Sequence, residues 1–198
     1  GLANDLDTVL ESANLLRQHQ DIAVVLVGDG RERKALMEKA EAMELDNVRF
    51  IPAQPKSRTP DFVAAADVCI AILKAVPMFD TTYPNKVFDY MAASRPTVLA
   101  IDGVIREVVE NAEGGLFVQP GDPHALVEGI LKYYRDPDLR RRHGENARSF
   151  VGEYFDRHIQ AAKAQDVFQQ ALRDRVAQPD CTWHRSGRYC TGDLRGNR

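Results

Sequence analysis

The chain has 198 residues, of which 44% are hydrophobic and 28% charged, a composition typical of a folded globular domain rather than a disordered or fibrous protein. This length suits one well-buried domain and is too short for two domains of full size. The formal net charge of −3 provides no basic field for nucleic acid, and no apolar run reaches the roughly 20 residues that a membrane-spanning helix needs.

Strand patterns and helical patterns alternate from residue 6 to about residue 134. A helical pattern begins at Leu6, and the continuously apolar run 22–27 follows it as a buried strand. Four further strands are predicted, at 48–51, 68–73, 97–101 and 116–118. The segments between the strands have helical patterns, at 31–43, 59–66, 84–94 and 104–112, and Thr59 is expected to cap the second of these helices.

The pattern changes after residue 118. Asp122-Pro123 and Asp136-Pro137 each combine a helix cap with a proline and predict two helices that reach about residue 150, and a last helix is expected over 156–173. The whole order predicts an α/β fold, a Rossmann-like doubly wound parallel sheet closed by C-terminal helices. Residues 1–177 are expected to form this domain, and 178–198 a polar, disordered tail.

Two glycines follow the first predicted strand. In an open parallel sheet ligands bind beyond the carboxyl ends of the strands, and Gly28 and Gly30 stand at such an end. Arg33 occupies the third glycine position of a dinucleotide fingerprint, so a dinucleotide is not expected. Two interpretations stay open: a tight turn, or the close approach of a phosphate or an acceptor to the backbone.

The segment 74–83 is long for a connection between a strand and a helix, which favours a function. It ends in Thr81-Thr82-Tyr83-Pro84-Asn85-Lys86, and hydroxyls, backbone N–H groups and a lysine at a helix N-terminus favour an anion such as phosphate. Asp89 follows one turn later on the same face, where its carboxylate can accept hydrogen bonds from a ribose diol. The alternative is an N-terminal cap with an ion pair along the helix.

Other chemistries find little support. The five histidines show no paired metal-ligand spacing, and Cys181, His184 and Cys190 are interpreted as tail residues rather than as a zinc site. Three cysteines do not form a disulfide framework, and no signal-peptide pattern is present, so a cytoplasmic location is expected. The basic run 140–143 is interpreted as a solvated helix face, with a peripheral contact to the inner membrane as the alternative.

Five segments in their order resemble the C-terminal domain of bacterial glycosyltransferase family 4. They are Val24-Val-Leu-Val-Gly-Asp-Gly30, Asn47-Val-Arg-Phe-Ile51, Ala65-Ala-Asp-Val68, Pro84-Asn-Lys-Val-Phe-Asp-Tyr-Met-Ala-Ala93 and Gly114-Gly-Leu-Phe-Val-Gln-Pro-Gly-Asp122. The resemblance covers residues 2–172, and the fourth segment is its most specific part. It implies one half of a GT-B fold, in which two Rossmann-like domains face each other across a cleft. The most similar members build lipopolysaccharide and capsule and include aminosugar transferases.

The resemblance also implies residue roles around a nucleotide-sugar donor, commonly a UDP-sugar, with no separate cofactor and no metal. Asp89 stands at the second carboxylate of the family's Glu-x7-Glu motif and is expected to bind the ribose hydroxyls. Thr81 stands at the first and lacks the carboxylate that touches the donor sugar. Backbone amides of 82–85 are expected to face the diphosphate, and Gln54 to lie beside the base. Asn4 stands at one of two positions where the family has a basic residue on the diphosphate.

The implied reaction is sugar transfer with retention at the anomeric carbon, in which the leaving diphosphate is stabilised by a helix N-terminus and by Lys86 as the catalytic residue. The acceptor, a surface polysaccharide or a lipid-linked saccharide, is expected to bind an N-terminal domain outside the resemblance, so the chain alone is expected to be inactive. Two alternatives stay open: half of a UDP-sugar 2-epimerase with the same fold, and a non-enzymatic flavodoxin-like binding module. Such modules carry an acidic cluster at the strand ends, whereas Asp29, Asp80 and Asp102 are scattered here.

Overall fold

The computed structural model describes residues 3–176, which fall into two compact units. The first unit ends at Asp156 and contains five strands and seven helices. The strands are β1 (Val24–Val27), β2 (Val48–Ile51), β3 (Cys69–Ile72), β4 (Thr97–Ala100) and β5 (Gly115–Phe117). The helices are α1 (Leu6–Leu15), α2 (Arg33–Ala42), α3 (Thr59–Ala65), α4 (Asn85–Ala92), α5 (Val104–Asn111), α6 (Pro123–Arg135) and α7 (Pro137–Tyr154).

The second unit begins at Arg157, and its described part is the helix α8 (Arg157–Val176). Val167, Phe168 and Leu172 on this helix are each more than 60% exposed. The predicted tail over 178–198, with Cys181, His184 and Cys190, lies outside the described residues.

All paired strands are parallel, as predicted. β1 pairs with β2, with Val24 opposite Val48. β4 lies between β3 and β5, and its Thr97 is opposite both Cys69 and Gly115. The described strands form two hydrogen-bonded sheets rather than the single sheet expected, because β1 and β3 share no ladder.

Alternate residues of β3 and β4 point into two separate apolar layers. Ile72, Val98 and Ala100 join a cluster with side chains of α1, α2 and α6, and this cluster also contains residues of β1 and β2. Ala71 and Leu99 join a second cluster with side chains of α4, α5 and α7. Helices therefore cover both faces of the sheet, which is the arrangement of a doubly wound fold. Since full burial of one large aliphatic side chain contributes roughly 1.5–3 kcal/mol, these two layers are the main stabilising feature.

The two cap-plus-proline pairs begin helices, as predicted. The Asp122 carboxylate accepts hydrogen bonds from the backbone N–H groups of His124 and Ala125, at 2.9 and 3.0 Å, at the start of α6. The Asp136 carboxylate accepts one from the N–H of Leu139 at 2.8 Å at the start of α7. These bonds satisfy amides that have no partner inside the helix.

One predicted cap was wrong. Thr59 has helical backbone angles, φ −54° and ψ −43°, and is the first residue of α3 rather than its cap. A short 3-10 turn over Lys56–Arg58 leads directly into the helix, so the chain is already wound when it reaches Thr59. In the described part of the chain, no helix combines the length and the apolar character needed to cross a lipid bilayer.

Candidate functional site

The loop after β1 contains both predicted glycines. Gly28 continues the ladder, since its N–H donates to the carbonyl of Ile51 at 3.0 Å. Its φ of +144° favours glycine, and no atom lies within 4 Å of the place where a Cβ would stand. Gly30 belongs to a closed turn, because its N–H donates to the Asp29 carboxylate at 2.7 Å and its carbonyl accepts from Arg33 at 3.1 Å. The backbone at Gly28 is therefore open to close approach, whereas Gly30 is used by the turn.

Gln54 lies after the carboxyl end of β2, as predicted, and is half-buried. Its side-chain amide donates to the backbone carbonyl of Pro52 at 3.1 Å, so the side chain turns back onto its own loop. This contact uses one N–H of the side-chain amide, and the position beside the base that the resemblance implies for Gln54 stays a prediction.

The segment 74–83 is folded rather than extended. It contains a 3-10 turn over Pro77–Thr81, in which the N–H of Thr82 donates to the carbonyl of Phe79 at 3.0 Å. The turn packs against the loop after β4, and Gly103 is the point of contact. At Gly103 φ is +80°, and a Cβ there would stand 2.0 Å from the carbonyl oxygen of Asp80. Only glycine allows the two loops to approach this closely.

The residues that end this segment are largely exposed. Thr81 is exposed, and its hydroxyl makes a long contact of 3.5 Å with the carbonyl of Met78. Tyr83 is 52% exposed, with its ring centroid 6.4 Å from that of Phe88. Thr82 is half-buried. These side chains therefore border solvent immediately before α4 and are available to a ligand.

The N-terminus of α4 is formed by Asn85 and Lys86, with Pro84 before it and no side-chain cap. Lys86 is half-buried, and its ammonium donates to the side-chain oxygen of Asn4 at 2.8 Å. Burial lowers the pKa of Lys86 below its ordinary value. Val87 and Met91 anchor the opposite face of the helix in the second apolar cluster, so the first turn of α4 is held rigidly.

Asp89 lies one turn further along α4 and is exposed. Among the described residues its carboxylate has neither an ion-pair partner nor a side-chain hydrogen bond, which argues against the predicted alternative of an ion pair along the helix. An exposed acceptor with free lone pairs, beside a cationic group at a helix N-terminus, is suited to a ligand that carries both hydroxyls and an anion.

A cavity of about 220 Å³ lies behind the 74–83 segment, at the carboxyl ends of β3 and β4. Its polar lining consists of Lys74, Asp80, Asp102 and Gln119. The Asp102 carboxylate accepts from the N–H of Gly103 at 2.8 Å, which fixes the loop after β4. Sequence reasoning did not find this cavity, because its lining comes from three loops that are distant along the chain.

The remaining predicted features are spread over the surface. No group of three or more His, Cys, Asp or Glu side chains within residues 3–176 is arranged to hold a metal ion. In the basic run, Arg140 pairs with Asp67 at 3.7 Å, and Arg141 pairs with Asp138 at 3.2 Å and with Glu145 at 3.5 Å. Acidic neighbours thus pair with Arg140 and Arg141, as on a solvated helix face. His143 departs from that expectation, because it is half-buried and its Nδ1 lies 2.9 Å from the hydroxyl of the buried Tyr133.

Comparisons with known proteins bear on the family and the fold of the chain. The sequence profile described as "Glycosyl transferases group 1" matches residues 3–150. The D-inositol 3-phosphate glycosyltransferase of Corynebacterium jeikeium is 29% identical over 150 residues, which cover 72% of this chain and 35% of that protein. The chain thus spans about a third of the length of this curated relative.

Two solved structures show the fold. Anabaena Alr3699/HepE in complex with UDP superposes with a TM-score of 0.76 at 19% identity, covering 86% of this chain and 46% of that one. The C-terminal domain of the glycosyl transferase group 1 family protein LpcC from Francisella tularensis gives 0.66 at 20% identity, covering 78% and 81%. These matches confirm the predicted Rossmann-like half of a GT-B fold. Since the family profile covers most of the sequence, the chain belongs to the family of group 1 glycosyl transferases.

Proposed function

We propose that this chain is the donor-binding domain of a retaining glycosyltransferase of family 4 that uses a nucleotide-sugar, with UDP as the nucleotide. The observation that carries the proposal is the start of α4, where the helix N-terminus has no side-chain cap and the Lys86 ammonium is followed by Asp89. The Asp89 carboxylate is exposed and has no side-chain partner in the part of the chain that the structure describes. In support, the similar HepE was solved with UDP and with UDP-glucose. Membership of a transferase family favours this function over the epimerase and the binding module.

The parts of the donor are assigned to groups that suit them. The Asp89 carboxylate accepts hydrogen bonds from the two ribose hydroxyls. The Lys86 ammonium and the backbone amides of 82–85 contact the diphosphate, which the helix dipole also attracts. The base lies beside the backbone of Gln54, and the open backbone at Gly28 allows close approach of the donor or the acceptor. Thr81 and Tyr83 border the sugar.

In the proposed reaction the bond between the anomeric carbon and the β-phosphate oxygen breaks, and a bond to the acceptor hydroxyl oxygen forms on the same face. The acceptor proton passes to the departing diphosphate, so no nucleophile from the protein is needed. The chain contributes electrostatic stabilisation of the leaving group through Lys86 and the N-terminus of α4. The acceptor is a surface polysaccharide or a lipid-linked saccharide bound by a further domain, and the transferred sugar is a hexose or an N-acetylhexosamine.

Four expectations extend this proposal. They are the absence of a cofactor and a metal, the inactivity of the chain alone, a cytoplasmic location, and a peripheral contact with the inner membrane through 140–143. The ion pairs of Arg140 and Arg141 weigh against the last, because they reduce the positive charge available to a lipid surface.

The test uses ligand-observed NMR to measure the binding of UDP, GDP and ADP to the chain and to its Asp89→Ala variant. We expect selective UDP binding that weakens about tenfold or more in the variant, since hydrogen bonds to a charged group are each worth about 1.5–3 kcal/mol. Asp138→Ala is the matched control, because Asp138 is an exposed helical carboxylate whose partner is Arg141. Equal UDP affinity in Asp89→Ala and the unchanged chain would contradict the ribose assignment.

A further inference from the structure

The contact between Lys86 and Asn4 joins two segments that are 82 residues apart in sequence. Lys86 lies in the first turn of α4, and Asn4 directly precedes Asp5, which stands at the N-cap position of α1. The segment of Asn4 is held in place on both sides. The carbonyl of Ala3 accepts from the N–H of Lys74 at 2.9 Å, just beyond β3, and the Asp5 carboxylate accepts from the Thr8 hydroxyl at 2.7 Å. Asn4 is therefore a fixed acceptor rather than part of a loose end.

The chemistry of this contact preserves the charge of Lys86. An amide oxygen satisfies one of the three N–H donors of an ammonium and carries no charge of its own. Lys86 forms no ion pair among the described residues, so its positive charge is not balanced within this part of the chain. Charged side chains do occur nearby in sequence and on packed elements, namely Asp5, Lys74, Asp89, Arg148 and Glu153, but none of them shifts the pKa of Lys86.

Burial and charge together make this ammonium unusual. It is half-buried, and burial is the cause that lowers its pKa. A cation removed from water usually gains a carboxylate partner, since desolvating a charge is otherwise costly. Here the fixed partner is neutral, which leaves the attraction for an arriving anion intact while it holds the ammonium in one position.

We propose that Asn4 is a positioning residue that holds the Lys86 ammonium, in charged form, at the N-terminus of α4 for the diphosphate of the nucleotide-sugar. The proposal rests on the proposed function, because it assigns the donor's diphosphate to this ammonium. Asn4 does not touch the reacting atoms and acts only through Lys86. Its neutrality is the property that matters, since a carboxylate at the same place would pair with the ammonium and compete with the ligand.

The experiment compares Asn4→Asp and Asn4→Leu with the unchanged chain, by calorimetric titration with UDP and with uridine. Asn4→Asp keeps the shape and adds a charge, whereas Asn4→Leu keeps the size and removes the acceptor. We expect Asn4→Asp to weaken UDP binding about tenfold and Asn4→Leu to weaken it severalfold, with uridine binding unchanged in both, because uridine has no phosphate. Asn111→Asp is the matched control, since Asn111 is exposed at the end of α5 and makes the same change of charge.

The pKa of Lys86 distinguishes a positioning role of Asn4 from a merely structural one, because a structural role would leave this pKa unchanged. In protein carrying ¹³C-labelled lysine, NMR follows the Lys86 side chain with pH, and Lys86→Met identifies its signal. We expect Asn4→Asp to raise the pKa of Lys86, because a neighbouring carboxylate favours the charged form, and Asn111→Asp to leave it unchanged.

The outcomes separate the two proposals. UDP affinity within twofold of the unchanged chain in Asn4→Asp, or an equal loss for UDP and uridine, would overturn the role of Asn4 while the proposed function stands. If the unchanged chain binds UDP, GDP and ADP no better than a buffer blank, the proposed function fails and the diphosphate contact fails with it. The titration of Lys86 tests the contact between Asn4 and Lys86 independently of nucleotide binding. An unshifted pKa of Lys86 in Asn4→Asp would refute this contact even if no nucleotide binds.

Discussion

The contact between the 3-10 turn over Pro77–Thr81 and the loop after β4 can be tested by adding a single methyl group. In Gly103→Ala the new Cβ would stand 2.0 Å from the carbonyl oxygen of Asp80 and 2.5 Å from its carbonyl carbon. Both distances are below the 3.0 Å that real Cβ atoms keep, and the atoms it meets are backbone, which cannot move alone. The substitution therefore has to displace one of the two loops.

Backbone strain and overpacking both lower the free energy of unfolding in Gly103→Ala. A non-glycine residue forced into a sparsely populated backbone region costs about 1–3 kcal/mol, and overpacking costs about 1–3 kcal/mol, so we expect a loss of about 2–6 kcal/mol in the free energy of unfolding. This is a large share of the roughly 5–15 kcal/mol that stabilises a typical domain. Gly121→Ala is a control for a positive φ without overpacking, because Gly121 has a φ of +75° and no described atom lies within 4 Å of its Cβ position. For that control we expect about 1–2 kcal/mol.

The assay is urea denaturation followed by far-UV circular dichroism for the unchanged chain and both variants. A typical urea m-value of about 2 kcal/mol per M converts a difference of 2 kcal/mol between the variants into a gap of about 1 M in the midpoint. Midpoints of Gly103→Ala and Gly121→Ala within about 0.3 M of each other would refute the packing argument, since strain alone would then account for both.

Three further predictions concern stability and reactivity. Thr97 is fully buried and its hydroxyl has no hydrogen-bond partner among residues 3–176, so Thr97→Val is expected to raise the free energy of unfolding by about 1 kcal/mol. Calorimetry that shows a lower melting temperature for this variant would contradict the prediction. Asp122→Ala removes a carboxylate that accepts from two amides of α6 and is expected to cost about 1 kcal/mol, measurable as a lower urea midpoint at unchanged m-value. Burial raises the pKa of Cys69 to about 11, so the unreactive neutral thiol predominates below that pH in the folded chain. Iodoacetamide at about pH 8.5, where an unperturbed thiol is half-ionised, should label the Cys69 peptide only after unfolding, and labelling at the unfolded rate in the native protein would argue against burial.

The elements of this fold were largely predictable because their signals are local. The β-branched run 22–27 forms β1 as predicted, although only Val24 of it is buried and the expectation of a fully buried strand was wrong. A cap followed by proline, as at Asp122-Pro123, begins a helix with contacts that span three residues. The same holds for the candidate site: a hydroxyl-rich segment before a helix bearing Lys86 and Asp89 places hydroxyls, cation and carboxylate within two turns of chain.

The features that sequence reasoning missed depend on distant segments. The partner of Lys86 lies 82 residues away, and nothing near Asn4 indicates that its side chain faces α4. The approach of Gly103 to Asp80 arises from the packing of two loops, and a glycine after a strand has many local explanations. The division into two sheets likewise follows from which strand edges meet, whereas local periodicity reports only that strands exist.

β1 and β3 each have one edge that forms no ladder with another described strand, and these edges have a consequence for the behaviour of the protein in solution. Within residues 3–176 neither strand has a ladder partner on that edge, and an edge strand that is left uncovered can pair with a strand of another molecule. Val25 and Val27 of β1 are 49% and 44% exposed, so apolar surface accompanies the edge of β1. Each strand is only four residues long, which keeps any single pairing weak. Self-association by strand addition at these edges would make the sedimentation coefficient rise with protein concentration, so sedimentation velocity is the check on any binding constant measured at high concentration.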